Sequence, residues 1–362
     1  MTKLALGLMS GTSADGLTVC AVRPKPFKIV CFKNYDYPAA LQQKLLHAYS
    51  LRAAELSQLH YELGKLYANT VVKFLKEFHL SKKDICVIGS HGQTVYHGPK
   101  DRIPNTLQIG EPSFLAAQLE VPVVSDFRAK DMALGGEGAP LMPFFDEYIW
   151  GQGTPKILLN IGGISNFSVV GKGRTTFGFD AGPGNTLMDL FCQTHFHKPF
   201  DKNGKLAAKG TPDKKLVSRL LTQKFFSQKP PKSLDKNAFG SDYLTKYFLK
   251  NSSKNLYDIL ATLTWFTAAA IAQQITRFVS PKDQQEIVLS GGGNYNQTLV
   301  RFLQEMLPHI KISTTHDYHM DPQAKESAAF ALFAWLALNK KINHCSRATG
   351  ARKSSVLGKI SL

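Results

Sequence analysis

Few cysteines occur in this sequence, and none of them form a pair at a metal-binding or redox spacing. The sequence contains five cysteines, which is an odd number, and no CxxC motif. The cysteines are Cys20, Cys31, Cys86, Cys192 and Cys345. This usage argues against a disulfide framework and against a cysteine-based zinc site, because both require paired cysteines. The sequence therefore predicts reduced thiols and a cytoplasmic protein.

Long apolar runs are also scarce. A membrane span needs ~20 mostly apolar residues, but the most apolar stretch, residues 259–275, contains three threonines and two glutamines. The apolar run at the N-terminus is broken by Gly7 and is too short for the core of a signal peptide. These features predict that a membrane is not a partner of this protein.

Two common nucleotide-binding motifs are missing as well. The chain contains neither GxxxxGK followed by Ser or Thr nor GxGxxG, so neither a Walker-type nucleotide hydrolase nor a Rossmann dehydrogenase is predicted. No repeat of about 20–50 residues occurs, which argues against a solenoid. His316 and His319 lie three residues apart without a further ligand pattern, so the sequence predicts no certain metal site.

The remaining composition is that of an ordinary globular protein with a strong positive charge. Its 362 residues correspond to about two domains, and 43% hydrophobic with 20% charged residues is typical of soluble domains. The net charge is +17, and 13 Lys and Arg against 4 Asp place +9 of it in residues 201–254. We interpret this segment as a solvated face, with attraction of anionic ligands as the alternative.

Short apolar runs alternate with helical patterns in both halves of the chain. The longest helical patterns cover residues 53–78, 256–278 and 322–338. Because each half has strands followed by a helix and then further strands and helices, we predict an α/β protein of two domains with a cleft between them. The expected domains are residues 1–130, to which the C-terminal tail 340–362 can add, and residues 131–339.

Four glycine-rich loops follow predicted strands. They are MSGTSADG (9–16), NIGGISN (160–166), DAGPGN (180–185) and SGGGN (290–294). Glycine lets the backbone approach a ligand closely, and the small hydroxyl and amide residues add hydrogen-bond donors. Such loops suit phosphate oxygens. One loop of this kind is commonplace, whereas four in both halves predict the binding of a phosphorylated ligand.

These loops and several other segments carry a family resemblance. The segments are GLMSGTSADGL (7–17), SHGQTVYHGP (90–99), TLQIGEPSFLA (106–116), VVSDFRAKDMALGGEGAPL (123–141), NIGGISNFS (160–168), FDAGPGNTLMD (179–189), YHMDPQAKESAAFALFAWLAL (318–338) and ATGARKSSVLGKI (348–360). In order, and over essentially the whole chain, they resemble the anhydro-N-acetylmuramic acid kinases. That family belongs to the actin-like, sugar-kinase and heat-shock ATPase superfamily. The resemblance implies two actin-like (ribonuclease-H-like) domains with nucleotide and substrate in the cleft between them.

The resemblance also implies a reaction. The family opens 1,6-anhydro-N-acetylmuramic acid with water and phosphorylates its O6, which gives N-acetylmuramic acid 6-phosphate and ADP during peptidoglycan recycling. It implies ATP and Mg²⁺ as cofactors and a homodimer in the cytoplasm. Such a reaction needs a general base for the water that attacks C1. It also needs phosphate-binding turns, Mg²⁺ and domain closure for phosphoryl transfer.

Asp180 is the predicted catalytic base. It ends a predicted strand just before a glycine turn, which would put a carboxylate beside phosphate-binding amides. The residue pattern alone favours a capping or turn role, since Asp before such a turn often bonds its own backbone. The resemblance favours the base, because Asp180 matches the catalytic aspartate of the family's FDAGPGN segment.

The resemblance implies ATP-binding roles for the first turn and for three later ones. The residues are Gly11, Thr12, Ser13, Ala14, Asp15, Gly16, Leu17 and Thr18, followed by Gly162, Gly163, Gly182, Gly184, Asn185, Gly291, Gly292, Gly293 and Asn294. At Thr18 the chain departs from the family, which usually has an aspartate there. If that carboxylate helps to hold Mg²⁺, metal binding is weaker in this chain; alternatively, Thr18 is simply a β-branched strand residue.

Five polar residues are predicted to bind the sugar. They are His91, Gln93, Asp126, Arg128 and Glu326. Arg128 suits the lactyl carboxylate of a muramic acid, because a guanidinium binds a carboxylate through two parallel hydrogen bonds. Simpler roles remain open: an ion pair within one loop for Asp126 and Arg128, and a turn histidine bonded to backbone for His91. For Glu326 the simpler role is complementarity to the dipole of a helix N-terminus.

Two other functions are compatible with parts of the sequence. The positive charge suggests a nucleic-acid-binding protein, which would need aromatic residues interleaved with Lys and Arg. Aromatic residues do occur in the basic segment, but at helical spacing; they are Phe225, Phe226, Tyr243, Tyr247 and Phe248. No known nucleic-acid motif fits them, so nucleic acid is not a predicted partner. Thr18 suggests the second alternative, a homologue that binds ATP without turnover.

Overall fold

The chain forms two compact units. The computed structural model describes residues 3–11, 13–230, 232–234, 238–250 and 255–362. Unit 1 comprises Met1–Phe145 and Gln323–Leu362, and unit 2 comprises Asp146–Pro322.

The described residues form strands and α-helices in both units. The strands are β1 (Leu4–Met9), β2 (Gly16–Pro24), β3 (Phe27–Asp36), β4 (Ile85–Ser90), β5 (Gln93–Gly98), β6 (Asn105–Ile109), β7 (Val123–Ser125), β8 (Lys156–Ile161), β9 (Ile164–Val170), β10 (Phe177–Pro183), β11 (Glu286–Ser290), β12 (Lys311–Thr314) and β13 (Lys359–Ser361). The helices are α1 (Ala39–Leu46), α2 (Ala53–Glu77), α3 (Ser113–Leu119), α4 (Phe127–Ala133), α5 (Met142–Trp150), α6 (Thr186–Phe191), α7 (Lys214–Leu220), α8 (Lys224–Ser227), α9 (Ser241–Leu244), α10 (Leu256–Phe278), α11 (Gln297–Met306), α12 (Lys325–Leu338) and α13 (Ser346–Thr349).

Unit 1 is built on a sheet with the strand order β13-β7-β4-β1-β2-β3. The first three strands form an antiparallel meander, while β4 pairs in parallel with both β1 and β7. Helix α2 covers this sheet with a stripe of buried residues at four-residue spacing, which are Leu59, Leu63, Tyr67 and Val71. The spacing places them on one face of the helix, so α2 buries a continuous apolar surface.

Helix α12 lies directly against the backbone of this sheet. A Cβ atom added at Gly7 on β1 or at Gly89 on β4 would overlap the backbone oxygen atoms of Ser327 and Phe330. The two glycines therefore allow a contact that any side chain would prevent. This contact makes α12 part of unit 1, although it follows unit 2 in the sequence.

Unit 2 has a second sheet with the strand order β10-β9-β8-β11-β12. Strands β8, β9 and β10 form an antiparallel meander, and β11 pairs in parallel with β8 and β12. Helix α10 occupies the predicted range 256–278, and most of its residues are buried. By length and composition α10 could cross a membrane, but 83% of its most apolar window is buried in the protein, as expected of a core helix.

The two sheets share one topology. In each, an antiparallel meander of three strands is followed by two strands that run parallel to its first strand: β3-β2-β1-β4-β7 in unit 1 and β10-β9-β8-β11-β12 in unit 2. This is the actin-like, ribonuclease-H-like arrangement, and it confirms the predicted α/β fold class. The compact units divide after Phe145 and after Pro322, whereas the expected domains divide after residues 130 and 339.

A buried carboxylate joins three elements at the start of β11. Glu286 accepts hydrogen bonds from Lys156 Nζ, Ser313 Oγ and Tyr318 OH, each at 2.7 Å. Burial alone would raise the pKa of Glu286, but the hydrogen bonds from Lys156, Ser313, Tyr318 and Lys311 outweigh it and lower the pKa to about 2. The ionised carboxylate therefore stabilises unit 2.

Replacing Glu286 by Gln should destabilise the protein by about 3–5 kcal/mol at pH 7, because Lys156 is left buried without its counter-charge. The folded-state pKa of Glu286 is depressed, so its contribution is present above the unfolded value of about 4.3 and is lost as the pH falls towards 2. Urea unfolding of both proteins from pH 7 to pH 2 should show their difference shrinking below about pH 4.

The exposed pair of Glu120 and Lys82 gives the control, since Glu120→Gln should change stability by less than about 1 kcal/mol. Equal effects of the two substitutions, or a Glu286→Gln difference that stays constant down to pH 2, would contradict this account.

Candidate active site

Buried side chains of unit 1 form hydrogen bonds with the turn between β1 and β2. Ser10 Oγ lies 2.5 Å from Gln93 Oε1, and Gln93 Nε2 donates to the carbonyl oxygen of Gly11 at 3.1 Å. Tyr37 OH donates to Ser10 Oγ at 3.0 Å, and Ser10 and Gln93 are both buried. Because both ends of its amide bond to this turn, Gln93 shapes the turn. Direct contact of Gln93 with a sugar stays a prediction.

The turn itself presents small polar groups. Ser13 and Asp15 are exposed, whereas Ala14 is buried with a φ of 50° and donates its N–H to Gly11 O at 3.1 Å. Non-glycine residues seldom adopt a positive φ, and those that do are concentrated at functional sites. The predicted residue Thr12 lies outside the described residues. Gly16 begins β2.

Thr18 has a hydrogen-bonding role on β2. Its Oγ1 donates to Asn34 Oδ1 at 2.6 Å, and Asn34 Nδ2 donates to Gln323 Oε1 at 2.9 Å. The side chain of Thr18 is therefore a neutral hydroxyl that is bound to the neighbouring strand β3. The side chain of Leu17 is buried in the core of unit 1, so only its backbone can reach a ligand.

His91, Arg128 and Glu326 form a polar group in unit 1. Arg128 Nε donates to His91 Nε2 at 3.0 Å, and His91 Nδ1 lies 2.9 Å from Gly92 O. Burial, followed by the nearby charge of Arg128, lowers the pKa of His91 to about 3. His91 is therefore neutral at physiological pH, with Nδ1–H as the donor to Gly92.

The two charged members of this group, Arg128 and Glu326, influence each other electrostatically. Burial raises the pKa of Glu326, whereas Lys325 and Arg128 lower it. Burial lowers the pKa of Arg128, whereas Glu326 and Asp131 raise it. A half-buried guanidinium next to a half-buried carboxylate is suited to bind polar ligand groups in a fixed orientation.

Asp126 forms its ion pair with a residue outside its own loop, and not with Arg128. It precedes α4 with a φ of 54° and forms an ion pair with Lys359 on β13. Among the described residues Asp126 forms no ion pair with Arg128, which instead bonds to His91 and to the carbonyl oxygen of Gly138. The alternative of an Asp126–Arg128 pair is therefore not what the structure contains.

A buried carboxylate fixes the loop that carries Gly138. Asp131 Oδ1 accepts from Thr349 Oγ1 at 2.6 Å and lies 2.6 Å from His344 Nε2, while Asp131 Oδ2 accepts from Gly138 N at 2.6 Å. Burial would raise the pKa of Asp131, but its hydrogen bonds lower it. The segment after α12 thus positions Gly138, whose carbonyl oxygen holds Arg128 at 2.8 Å.

In unit 2, the turns after β8 and β10 are bonded to each other. Asn185 N donates to Gly162 O at 2.7 Å, and Gly184 N donates to Gly163 O at 2.9 Å. A Cβ atom at Gly184 would overlap Gly162 O. These hydrogen bonds and the close approach hold the two turns together at one end of the sheet.

The turn after β11 joins the same end of the sheet. Gly291 has a φ of +78°, and a Cβ atom there would lie 2.6 Å from Asn160 Oδ1. Asn185 Nδ2 donates to Ile161 O at 3.2 Å, so the three turns meet. Asn294 Nδ2 is buried and has no hydrogen-bond partner among the described residues. A buried donor without a partner is costly, and a ligand oxygen would satisfy it.

Asp180 lies at an irregularity of β10. The pairing of β9 with β10 shifts register between Asp180 and Gly182, and such bulges redirect side chains. Asp180 Oδ2 accepts from Leu234 N at 2.7 Å, and Asp180 N donates to Lys232 O at 3.2 Å. The carboxylate is half-buried and sits just before the Gly182–Asn185 turn, as the sequence predicts.

The structure groups most predicted residues by unit. His91, Arg128 and Glu326 interact in unit 1, and Gln93 joins the β1–β2 turn instead. In unit 2, the predicted glycines and asparagines form one cluster of turns. Tyr37, Asp131 and Lys232 are not among the predicted site residues, and Asn160 is predicted only as part of the NIGGISN loop. Asp131 lies in a segment that resembles the family, but spacing alone gives no sign that Asp131 or Lys232 is buried.

Two units of actin-like topology, with glycine turns at strand ends and a carboxylate beside them, define a phosphotransferase of the actin-like class. The model of the family described as anhydro-N-acetylmuramic acid kinase matches residues 3–362. The chain is 36% identical to the anhydro-N-acetylmuramic acid kinase of Caldanaerobacter subterraneus subsp. tengcongensis over 99% of this chain and 97% of that one. It is 38% identical to that of Actinobacillus pleuropneumoniae serotype 7 over 99% of each. The chain belongs to the anhydro-N-acetylmuramic acid kinase family.

Solved structures with a similar arrangement include a ROK family glucokinase from Streptomyces griseus in complex with glucose and AMPPNP. It has a TM-score of 0.41 and 11% sequence identity, and the match covers 92% of this chain and 99% of that one.

Replacing Thr349 by Val should lower the stability of unit 1 by about 1–3 kcal/mol, because Asp131 Oδ1 loses a buried hydrogen-bond donor while the side-chain volume is kept. Chemical denaturation measures the change. Thr70→Val is the control, since the one partner of Thr70 Oγ1 in the described part of the chain is Leu66 O of its own helix. A Thr349→Val protein as stable as this control would contradict the assigned role of Asp131.

Proposed function

We propose that this protein is an ATP-dependent kinase that opens 1,6-anhydro-N-acetylmuramic acid with water and phosphorylates its O6. The products are N-acetylmuramic acid 6-phosphate and ADP, and the reaction serves cell-wall recycling. The observation that carries the proposal is the half-buried carboxylate of Asp180, directly before a cluster of three glycine turns. The family membership, which extends over residues 3–362, supports the same reaction.

Asp180 is the general base of this reaction. It takes a proton from the water whose oxygen attacks C1, and the bond between C1 and O6 breaks. The released O6 then forms a bond to the γ-phosphorus of ATP, and the bond between that phosphorus and ADP breaks. A positioned carboxylate is suited to the first proton transfer. The hydrogen bond from Leu234 N to Asp180 Oδ2 supports this role because it fixes the plane of the carboxylate.

The glycine turns bind the phosphates of ATP. The proposal assigns this role to Gly11–Thr18 in unit 1 and to the turns around Gly162, Gly184 and Gly291 in unit 2. Support comes from the close approach of the glycine turns of unit 2 and from Asn294 Nδ2, a buried donor without a hydrogen-bond partner among the described residues. Donors held in place in this way stabilise charge that develops on transferred phosphoryl oxygens.

Mg²⁺ fits the donor set of the first turn. Asp15 is an exposed carboxylate there, while the hydroxyl of Thr18 is bonded to Asn34. The part of the chain that the structure describes has no cluster of three metal-binding side chains. One carboxylate suffices for a Mg²⁺ ion that retains water and phosphate ligands. The bound ion would neutralise charge on the phosphates of ATP.

The sugar is bound by the polar group of unit 1. Arg128 binds the lactyl carboxylate, and Glu326 accepts from a sugar hydroxyl or amide. The pKa of His91 at about 3 supports a neutral imidazole whose Nε2 orients Arg128, so His91 positions the guanidinium. We assign Asp126 and Gln93 to the edges of the same site. The proposal includes a homodimer in the cytoplasm, which the resemblance to the family implies.

The burial of aromatic residues in the basic segment argues against nucleic-acid binding. Phe226, Phe239 and Phe248 are buried and pack around Phe266 on α10. They are unavailable for stacking on nucleic-acid bases, which single-stranded binding requires. Basic residues without an aromatic platform fit a solvated surface.

Replacing Asp180 by Asn should lower kcat about 10²–10⁴-fold, because the attacking water loses its proton acceptor. The assay combines the purified chain with 1,6-anhydro-N-acetylmuramic acid, ATP and Mg²⁺ in ¹⁸O-labelled water, and the phosphorylated product should carry ¹⁸O at C1. Asp242→Asn, at an exposed position of unit 2, should retain the wild-type rate.

Two other results of this assay would lead to different conclusions. Product from Asp180→Asn at the wild-type rate would remove Asp180 as the base and keep the kinase. ATP binding without product from the wild-type chain would indicate the silent homologue and overturn the proposed function.

Replacing Arg128 by Lys should raise the KM for the anhydro sugar about 10- to 100-fold, since a charged hydrogen bond contributes about 1.5–3 kcal/mol. The KM for ATP should stay within about two-fold. Steady-state kinetics with either substrate varied separates the two constants. Arg52→Lys, at an exposed residue, is the control. An unchanged sugar KM would place the carboxylate of the substrate elsewhere.

A further inference from the structure

A buried lysine lies next to the proposed base and has no part in the reaction described so far. Lys232 belongs to the basic segment, where most lysines are exposed, but its own exposed fraction is only 4%. Its Nζ donates to Phe225 O at 3.0 Å and to Gln274 Oε1 at 2.6 Å. Such burial is uncommon for lysine, because its charge must leave water.

Three aromatic rings complete the surroundings of the ammonium group. Lys232 Nζ lies 4.4 Å from the ring centre of Phe225, 5.1 Å from that of Phe278 and 5.5 Å from that of Phe179. Cation–π attraction of this kind is strongest where water is excluded. Gln274 is itself fixed, since its Nε2 donates to Phe226 O at 3.1 Å. The position of Lys232 Nζ is therefore set from several sides.

The backbone around Lys232 contacts the edge strand that carries Asp180. The carbonyl oxygen of Lys232 accepts from Asp180 N at 3.2 Å, and Leu234 N donates to Asp180 Oδ2 at 2.7 Å. These two bonds bracket the residue at the β10 bulge, where regular pairing is interrupted. Residues 232–234 thus hold both the backbone and the carboxylate of Asp180.

We propose that Lys232 is a positioning residue for the reaction: its buried side chain anchors residues 232–234, and these residues fix the carboxylate of Asp180 towards the attacking water. The inference rests on the proposed function, because it requires Asp180 to be the base. It adds a residue that acts through Asp180 and does not touch the substrate.

The surroundings of Lys232 disfavour the charged form of its side chain. Burial, followed by the charge of Arg277 on α10, lowers the pKa of Lys232 to about 8, while Asp180 on β10 raises it. A methionine has a similar length, fills an aromatic cage well and carries no charge to desolvate. If Lys232 served packing alone, methionine would do as well, so Lys232→Met removes the anchor while allowing the unit to fold.

The test compares two buried lysines of unit 2. Lys232→Met should lower kcat about 10- to 100-fold at a temperature at which the variant is folded, with the KM for ATP and for the sugar within about three-fold. Lys156→Met is the matched control, because Lys156 is buried against Glu286 at the start of β11. It should lower the melting temperature and leave kcat unchanged below that temperature.

A double-mutant cycle with Asp180→Asn isolates the coupling. If Lys232 acts through Asp180, Lys232→Met should have little further effect on kcat once the base is gone, so the two substitutions are strongly non-additive. Additive losses of kcat would overturn the inference. So would a wild-type kcat in Lys232→Met, or a kcat that falls only in proportion to lost stability, as a packing residue would show.

The cycle also separates this inference from the proposed function. If Asp180→Asn loses activity and Lys232→Met keeps it, only the positioning role fails. If Asp180→Asn keeps activity, or the wild-type chain has no turnover, the proposed function fails and the positioning role fails with it.

Discussion

The backbone of one turn lies against the backbone of another in unit 2, and the proposed phosphate site depends on this contact. Gly184 meets the carbonyl oxygen of Gly162, and Gly291 meets Asn160 and Ile161. Because no side chain fits between these segments, the turns lie close together at one end of the sheet. A larger residue at either glycine would separate the turns, so the constraint acts on the whole cluster and not on one loop.

Local patterns in the sequence predict the individual glycine turns well, whereas they predict contacts between distant segments poorly. The glycine turns follow from residue type and position after a strand, and α10 occupies its predicted range, because both signals lie within one segment. That α12 packs on unit 1 depends on Gly7 and Gly89, which are far from it in sequence. Likewise, nothing near Gln93 indicates that its amide bonds to the β1–β2 turn.

Local sequence patterns also fail to predict which charged residue is buried. Composition gives the excess of lysine in residues 201–254, and a solvated face is the natural interpretation of such a segment. Lys232 departs from it, because its ammonium group is enclosed by Phe179, Phe225 and Phe278. Burial of one lysine among many is decided by which aromatic residues the fold brings around it, and a count of charges contains no information on that.

The order of the elements along the chain has a consequence for synthesis. Unit 2 is one continuous segment, Asp146–Pro322, whereas unit 1 joins Met1–Phe145 to Gln323–Leu362. Domains fold as units while the ribosome adds about 5–20 residues per second. Helix α12, which covers β1 and β4, and strand β13, which pairs with β7, are made after all of unit 2. The sheet of unit 1 is therefore started first and completed last. Its surface at Gly7 and Gly89 stays uncovered by α12 while the sheet of unit 2 is synthesised.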